Sequence, residues 1–174
     1  MTKKRRSSPA MHARDLLETL DIRKVPVPLE MIGEHLGAKI RIAPLDEELS
    51  GIIFIRDGMP IIGINAIHHP NRQRFTLAHE FGHLVLHKHL ITSMVHVDKK
   101  LPFFMRDAKS ATGTDKIEIE ANQFAAELLM PEAILLKEIQ REAFDIDDEA
   151  PLEELARKFR VSKQAMGHRI QNIF

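Results

Sequence analysis

Two histidines and a glutamate lie together in the run His79-Glu80-Phe81-Gly82-His83. Residues four apart in an α-helix lie one turn apart on the same face, so the two imidazoles can bind a single metal ion. Neutral imidazole is a good ligand for Zn²⁺, and two of them leave room for a third protein ligand and a water. Glu80, about 100° further round the helix, can then accept a proton from that water. The spacing therefore predicts a metal site with a general base beside it.

The run lies within a pattern that predicts a buried helix. Pro70 is a favourable first residue, and no proline interrupts the mainly apolar stretch that follows as far as Leu90. Polar side chains on a buried helix must be paired, solvated in a cleft or bound to a metal. The polar side chains of this helix all fall within about one third of its circumference. They are Thr76, His79, Glu80, His83 and His87. The spacing is the HExxH pattern of zinc metallopeptidases. The alternative to a metal site is that the two histidines are hydrogen-bonded residues of the core.

Two neighbours of these histidines add to the prediction. His87 repeats the four-residue spacing from His83, and it either binds the metal or orients a ligand from beside it. Gly82 lies between the two histidines, and a glycine inside a helix usually marks close packing with another element.

A second helical pattern, Lys116 to Met130, supplies a candidate for the third ligand. Glu118 falls inside its apolar face, whereas Glu120 and Glu127 fall on the opposite side. A carboxylate on a buried face needs a partner, which a metal held by the two histidines would provide. Asn122, one turn after Glu118, is placed to hydrogen-bond a ligand side chain. These positions favour Glu118 as the third ligand.

Two alternatives for the third ligand remain. Glu118 could instead pair with an arginine or lysine at the edge of the core. His96 and Asp98 could bind the metal from the segment Ile91 to Lys116, which shows no sustained period. This segment is longer than an ordinary connection, which favours a functional flap.

The first part of the chain predicts an α+β fold. Helical patterns run from Met11 to Leu20 and from Pro28 to Gly37, and strand-like runs cover Ala38–Ala43, Gly51–Arg56 and Ile61–Ala66. Asp57-Gly58-Met59-Pro60, between the last two runs, is a hairpin signal. The expectation is a small three-stranded antiparallel sheet packed against the helix of the two histidines.

The last part of the chain predicts two helices joined by a short turn. Pro151 opens the first and Ser162 caps the second, in the arrangement of a DNA-reading helix pair. Acidic Glu153 and Glu154 dilute its positive charge, and many such pairs only pack on their own domain, so both roles stay open. The expected division is a basic disordered tail at 1–10, a main domain at 11–145 and a helix-turn-helix-like element at 146–174 packed on it.

Composition limits the kinds of site and partner. The 174 residues include 25 basic and 25 acidic side chains, so the overall charge attracts neither nucleic acid nor acidic substrates. There is no cysteine, so a metal must be held by His, Asp or Glu. No apolar run approaches the roughly 20 residues that span a bilayer, and the basic N-terminus lacks the apolar segment of a secretory signal. A cytoplasmic location is expected.

Three stretches of the chain resemble a known family. They are Arg72–Leu84, Glu118–Pro131 and the helix pair that contains Leu155-Ala156 and Val161-Ser162. Together they are similar to the ImmA/IrrE family of zinc metallo-endopeptidases, and the similarity covers most of residues 11–172. The first two stretches are specific in combination, whereas the third is weak alone.

The resemblance implies a small zincin-like fold with one Zn²⁺ per chain. His79 and His83 would be ligands, Glu80 the general base, and Glu118 the third ligand in the family's Glu-x-x-Ala-Asn motif. Asn122 and His87 are the candidates for residues that orient the ligands.

The resemblance also implies a protein substrate. Family members make site-specific cuts in a helix-turn-helix (XRE-like) repressor, in mobile-element, stress-response or toxin-antitoxin-like regulation. The alternative is a DNA-binding or repressor-sequestering regulator with a structural or vestigial zinc site, which the intact Glu80 argues against. Because the chain has no tyrosine, the donor to the oxyanion is left open among His87, His89, His96 and a loop arginine or lysine.

Overall fold

The computed structural model describes residues 8–91, 96–99, 113–141 and 149–174, with the backbone alone at 96–99, 113–115, 141 and 149. Its elements are α1 (Pro9–Thr19), α2 (Leu29–His35), β1 (Lys39–Ala43), β2 (Leu49–Arg56), β3 (Met59–Asn65), α3 (Pro70–Leu86), α4 (Lys88–Ile91), β4 (His96–Lys99), α5 (Gly113–Leu129), α6 (Glu132–Arg141), α7 (Glu149–Phe159) and α8 (Lys163–Gln171). The fold class is α+β, as predicted. Residues 1–7 of the predicted tail and the predicted boundary after residue 145 lie outside the described residues, so the division of the chain stays a prediction.

Hydroxyl caps explain where two of the helices begin. The Met11 backbone N–H donates to Ser8 Oγ at 3.2 Å, and Pro9 takes the first helical position. α1 therefore begins two residues before its predicted start. At α8, the Ala165 backbone N–H donates to Ser162 Oγ at 3.1 Å, so Ser162 caps this helix as predicted.

The sheet has four strands in the order β1-β3-β2-β4. β2 runs antiparallel to β3 and to β4, whereas β1 runs parallel to β3. The predicted three-stranded antiparallel sheet is therefore wrong in the direction of β1 and in the number of strands. β4 has four residues, which is too short for a period to stand out in the sequence.

The direction of β1 follows from the turns on either side of β2. Asp57 and Gly58 both have positive φ, 52° and 79°, as a type I′ turn requires, so β2 and β3 form a tight hairpin. β1 then pairs with the free edge of β3. Asn65 holds the connection between β1 and β2, because its Oδ1 accepts from Leu45 N at 3.1 Å and its Nδ2 donates to Leu49 O at 2.8 Å.

α3 is the buried helix that the sequence predicts. Every residue from Thr76 to Leu84 is buried, and the helix packs against β2, β3 and α5. It ends at Leu86 rather than at the predicted Leu90, because His87 leaves the helical conformation with φ −127° and ψ 21°. The following residues form the short α4.

From residue 113 onward, all the elements that the structure describes are helices. α5 begins three residues before its predicted start. Two helices, α7 and α8, lie where the sequence predicts a helix pair, and they pack on each other. Their role as a helix-turn-helix element stays a prediction. α6 was not predicted, because Pro131 was interpreted only as the end of α5. Pro131 also opens α6, since its carbonyl accepts from the Leu135 backbone N–H at 2.9 Å. Over the described ranges, none of the helices combines the length and apolar character needed to cross a membrane.

Glu127 joins α5 to two other helices. Its side chain is 1% exposed, although the sequence pattern placed it opposite the apolar face. Arg14 Nε of α1 donates to Glu127 Oε1 at 2.9 Å, and Arg169 of α8 donates to Glu127 Oε2. The hydrogen bond from Glu127 is the main cause that raises the pKa of Arg14. Arg169 therefore attaches α8 to α5 and is not a free surface charge.

Candidate metal centre

Donor atoms of three residues converge where α3 packs against α5. The Nε2 atoms of His79 and His83 lie 2.9 Å apart. Glu118 Oε2 lies 3.1 Å from His79 Nε2, and Glu118 Oε1 lies 3.4 Å from His83 Nε2. Both histidines are buried, and the Glu118 side chain is largely buried. These three residues form a group that could hold a metal ion.

The spacing of the donors fits a tetrahedral ion. Bonds of about 2.0–2.2 Å at tetrahedral angles place neighbouring donors about 3.3–3.6 Å apart. The observed separations, 2.9 to 3.4 Å, are close enough that side-chain adjustments of a few tenths of an ångström would suffice. Two imidazoles and one carboxylate are also a donor set of catalytic zinc sites, which leave the fourth position to water or substrate. The residues present therefore fit Zn²⁺.

Asn122 lies where the sequence placed it, beside the first histidine. His79 Nδ1 and Asn122 Oδ1 are 2.9 Å apart. An amide oxygen only accepts, so this hydrogen bond places the ring proton of His79 on Nδ1 and leaves the Nε2 lone pair for the metal. Hydrogen bonds of this kind orient zinc ligands.

His87 lies behind His83 and is not one of the converging donors. His83 Nδ1 and His87 Nδ1 are 3.3 Å apart, and His87 Nε2 lies 2.9 Å from Glu120 Oε2. The His87 side chain is buried, and Glu120 is partly exposed. Of the two roles that the sequence left open for His87, its contacts favour orientation of a ligand. Glu120 was not predicted to take part in the site.

Gly82 permits the close approach of the two helices that carry the donors. A Cβ added at Gly82 would lie 3.1 Å from both Cα and O of Ala121, and 3.3 Å from Phe124 Cβ. These distances are tighter than ordinary van der Waals contact, and two of the atoms belong to backbone that cannot move alone. The prediction that Gly82 marks close packing is confirmed.

Glu80 is fully buried against β2. A Cβ added at Gly51 would lie 2.6 Å from Thr76 Cγ2 and 3.0 Å from Glu80 Oε1. Gly51 therefore leaves the space that the Glu80 carboxylate needs beside the strand. The sequence marked Gly51 only as the start of a strand, and nothing in its spacing from the histidines linked the two.

The structure does not test the other residues that the sequence offered as metal ligands or as donors to the oxyanion. His96 and Asp98 lie in β4, where the backbone alone is described, so their role as ligands stays a prediction. His89 lies in α4, and the loop arginines and lysines of 100–112 lie outside the described residues. The donor to the oxyanion therefore also stays a prediction.

Known proteins are similar to this chain in sequence and in fold. The sequence profile of a peptidase family, described as the IrrE N-terminal-like domain, matches residues 33–171. The radiation response metalloprotease IrrE of Deinococcus radiodurans is 37% identical over 82 residues, which are 47% of this chain and 22% of that protein. The chain thus aligns with about a fifth of the length of this curated relative.

A solved structure supports the fold alone. The structure of a Mycobacterium tuberculosis transcriptional regulator superposes with a TM-score of 0.62 at 21% identity, covering 92% of this chain and 45% of that one. The profile match over most of the chain, together with the two histidines and the glutamate brought together in space, places this protein in the ImmA/IrrE family.

Proposed function

We propose that this chain is a zinc metallo-endopeptidase that makes site-specific cuts in a partner protein in the cytoplasm. The observation that supports this most directly is the convergence of His79, His83 and Glu118. The two Nε2 atoms lie 2.9 Å apart, and the two carboxylate oxygens of Glu118 lie 3.1 Å from His79 Nε2 and 3.4 Å from His83 Nε2. Glu80 is next to His79 on the same helix. In the proposed division, residues 11–145 form the zincin-like peptidase domain, and 146–174 pack on it.

Each residue of the site has a proposed role. His79, His83 and Glu118 hold the metal, while Asn122 and His87 orient the two imidazoles. When bound, Zn²⁺ supplies Lewis-acid polarisation of a water and of the scissile carbonyl. Glu80 accepts the proton that the attacking water loses and then donates it to the leaving amine.

The proposed substrate is a helix-turn-helix (XRE-like) transcriptional repressor encoded nearby. Support comes from the family and from its curated member, whose name is radiation response metalloprotease. Cleavage would inactivate the repressor in mobile-element, stress-response or toxin-antitoxin-like regulation.

We expect the zinc-loaded protein to cut such a repressor at one bond. The test incubates it with the helix-turn-helix protein of the adjacent reading frame and identifies the fragments by mass spectrometry. Cleavage should stop after the metal is removed with a chelator and return when Zn²⁺ is restored, because the site depends on its ion. An intact repressor in all zinc-loaded samples would contradict this choice of substrate.

The alternative function, a DNA-binding regulator, has one observation in its favour. A groove of about 680 Å³ between the start of α3 and the turn from α7 to α8 is lined by Arg72, Arg157, Arg160 and Lys163, with one acidic residue, Glu153. Contacts between arginine or lysine side chains and DNA phosphates supply most of the affinity of a protein for DNA. Against it, Lys163 Nζ donates to Glu153 Oε1 at 3.2 Å, so part of this charge is already compensated.

We expect no sequence-specific DNA binding by this chain alone. Gel-shift titrations at low and moderate salt, with operator and unrelated duplexes, measure it. Arg157→Glu combined with Arg160→Glu is the appropriate variant, since both side chains are exposed. Charge reversal at Arg169 would instead disrupt the buried pair with Glu127. An operator-specific complex at moderate salt that the double variant abolishes would favour the regulator.

A further inference from the structure

We propose that Glu120, acting through His87, sets the position and the tautomer of the His83 imidazole, and is thereby a positioning residue of the metal centre. The proposal rests on the proposed metal site and extends it to a residue one step further from the ion. It concerns zinc affinity, so it can be tested independently of peptide cleavage.

The ligand role of His83 determines which ring nitrogen of His83, and then of His87, carries the proton. If His83 binds the metal through Nε2, a neutral ring carries its proton on Nδ1. That proton points to His87 Nδ1 at 3.3 Å, which must then accept it. A neutral His87 consequently carries its own proton on Nε2, where Glu120 Oε2 accepts it at 2.9 Å.

Glu120 completes this order because a carboxylate only accepts hydrogen bonds. The opposite order, with a proton on His87 Nδ1, would direct a donor at His83 Nδ1 and move the His83 proton to Nε2. That tautomer has no lone pair available for the metal. Glu120 therefore selects the binding-competent form of a residue that it does not touch.

The helix packing allows Glu118 and Glu120 to serve different histidines. Ala121, the residue in close contact with Gly82, lies within about 100° of both glutamates around α5. The two carboxylates thus flank the line of contact with α3, one reaching the metal ligands and the other reaching His87. The other oxygen of Glu120, Oε1, lies 3.8 Å from Nζ of the exposed Lys116, one turn earlier on the same helix.

The outer hydrogen bonds of the two ligands are of different kinds. His79 donates to a neutral amide, Asn122, whereas His83 is connected through one further imidazole to a charged group. A charged acceptor gives stronger hydrogen bonds than a neutral one, so the connection should also increase the basicity of His83 as a ligand. Loss of such a partner typically lowers metal affinity by about 10–100-fold.

The experiment measures Zn²⁺ affinity by competition with a chelating indicator, for the full chain and four variants. Glu120→Ala and His87→Phe should each weaken binding by about 10–100-fold. Glu120→Gln should lose less, because the amide oxygen can still accept from His87 Nε2. Gln123→Ala, on the exposed face of the same helix, is the control and should bind as wild type.

Two further readouts separate positioning from general structural support. Glu120→Ala should have no additional effect in the His87→Phe background, because the intermediate imidazole is already gone. In the zinc-loaded wild type, ¹H–¹⁵N correlations of the histidine rings should show the proton on Nδ1 of His83 and on Nε2 of His87. The variants should also keep the far-UV circular dichroism of wild type.

Three results would overturn the proposal. They are a Glu120→Ala affinity within about twofold of wild type, well below the usual effect of such partners, additive losses in the double variant, and a wild-type His87 protonated on Nδ1. Zinc binding without any peptide cleavage would contradict the peptidase function and leave this inference intact. A wild-type chain that binds no Zn²⁺ would contradict both.

Discussion

Glu80→Gln is expected to keep Zn²⁺ at the wild-type stoichiometry and to lose peptide cleavage by about 10²–10⁴-fold in kcat/KM, the usual contribution of a general acid–base residue. Glu80 is not one of the converging donors, so the metal should stay bound. The amide of glutamine fills nearly the same volume in this fully buried position, so the fold should persist. What it cannot do is accept the proton of the attacking water. Zinc analysis and cleavage kinetics on the same preparation measure both effects.

The matched control for this variant is Glu34→Gln on the exposed face of α2, which makes the same chemical change away from the site. Turnover of the cognate repressor by Glu80→Gln at the wild-type rate would remove Glu80 from its assigned role. A loss of zinc together with activity would instead show that the residue supports the metal. Only retention of zinc with loss of cleavage agrees with a general base.

The position of Glu80 depends on a residue that the sequence did not connect with it. The HExxH spacing identifies Glu80 because the helical period fixes its angle relative to the histidines. The space for its carboxylate, however, comes from Gly51 on β2, where an added Cβ would lie 3.0 Å from Glu80 Oε1. A contact between residues 29 positions apart has no period, so sequence patterns report the helix face but not what lies opposite it.

The same limit explains why the sequence predicted that Glu118 faces α3 but did not predict that Glu120 also does. At 100° per residue the two side chains point about 200° apart, which suggests one buried and one exposed carboxylate. The structure centres the contact of α5 with α3 on Ala121, between these directions, so both glutamates reach α3. Predicting this would have required knowing that Gly82 and Ala121 face each other.

The sheet shows which strand pairings can be predicted from local sequence patterns and which cannot. Asp57-Gly58 predicts the hairpin because a type I′ turn needs φ > 0 at both positions, and the hairpin is present. The placement of β1 beside β3 depends instead on Asn65 and its hydrogen bonds to Leu45 and Leu49, sixteen to twenty residues away. The antiparallel prediction was wrong because no local signal reports which edge of a hairpin the preceding strand joins.

The wild type is expected to retain about one Zn²⁺ per chain, and Glu118→Ala is expected to lose it. The variant leaves two imidazoles, and the carboxylate that lay 3.1 and 3.4 Å from their Nε2 atoms is gone. Loss of a direct ligand should reduce affinity by more than the roughly 10–100-fold typical of an outer hydrogen-bond partner. Metal analysis after dialysis against a weak chelator measures the stoichiometry.

The outcome of this variant decides between the ligand sets that the sequence left open. Glu34→Ala, an exposed glutamate on α2, is the control and should retain its zinc. Undiminished zinc in Glu118→Ala would mean that another residue is the third metal ligand. His96 and Asp98 of β4 would then be the next residues to substitute. The same result would also leave Glu118 as a carboxylate paired with histidine in the core. Loss of zinc with a native circular dichroism spectrum would instead agree with a site made by α3 and α5, because the close contact between Gly82 and Ala121 does not involve the donor side chains.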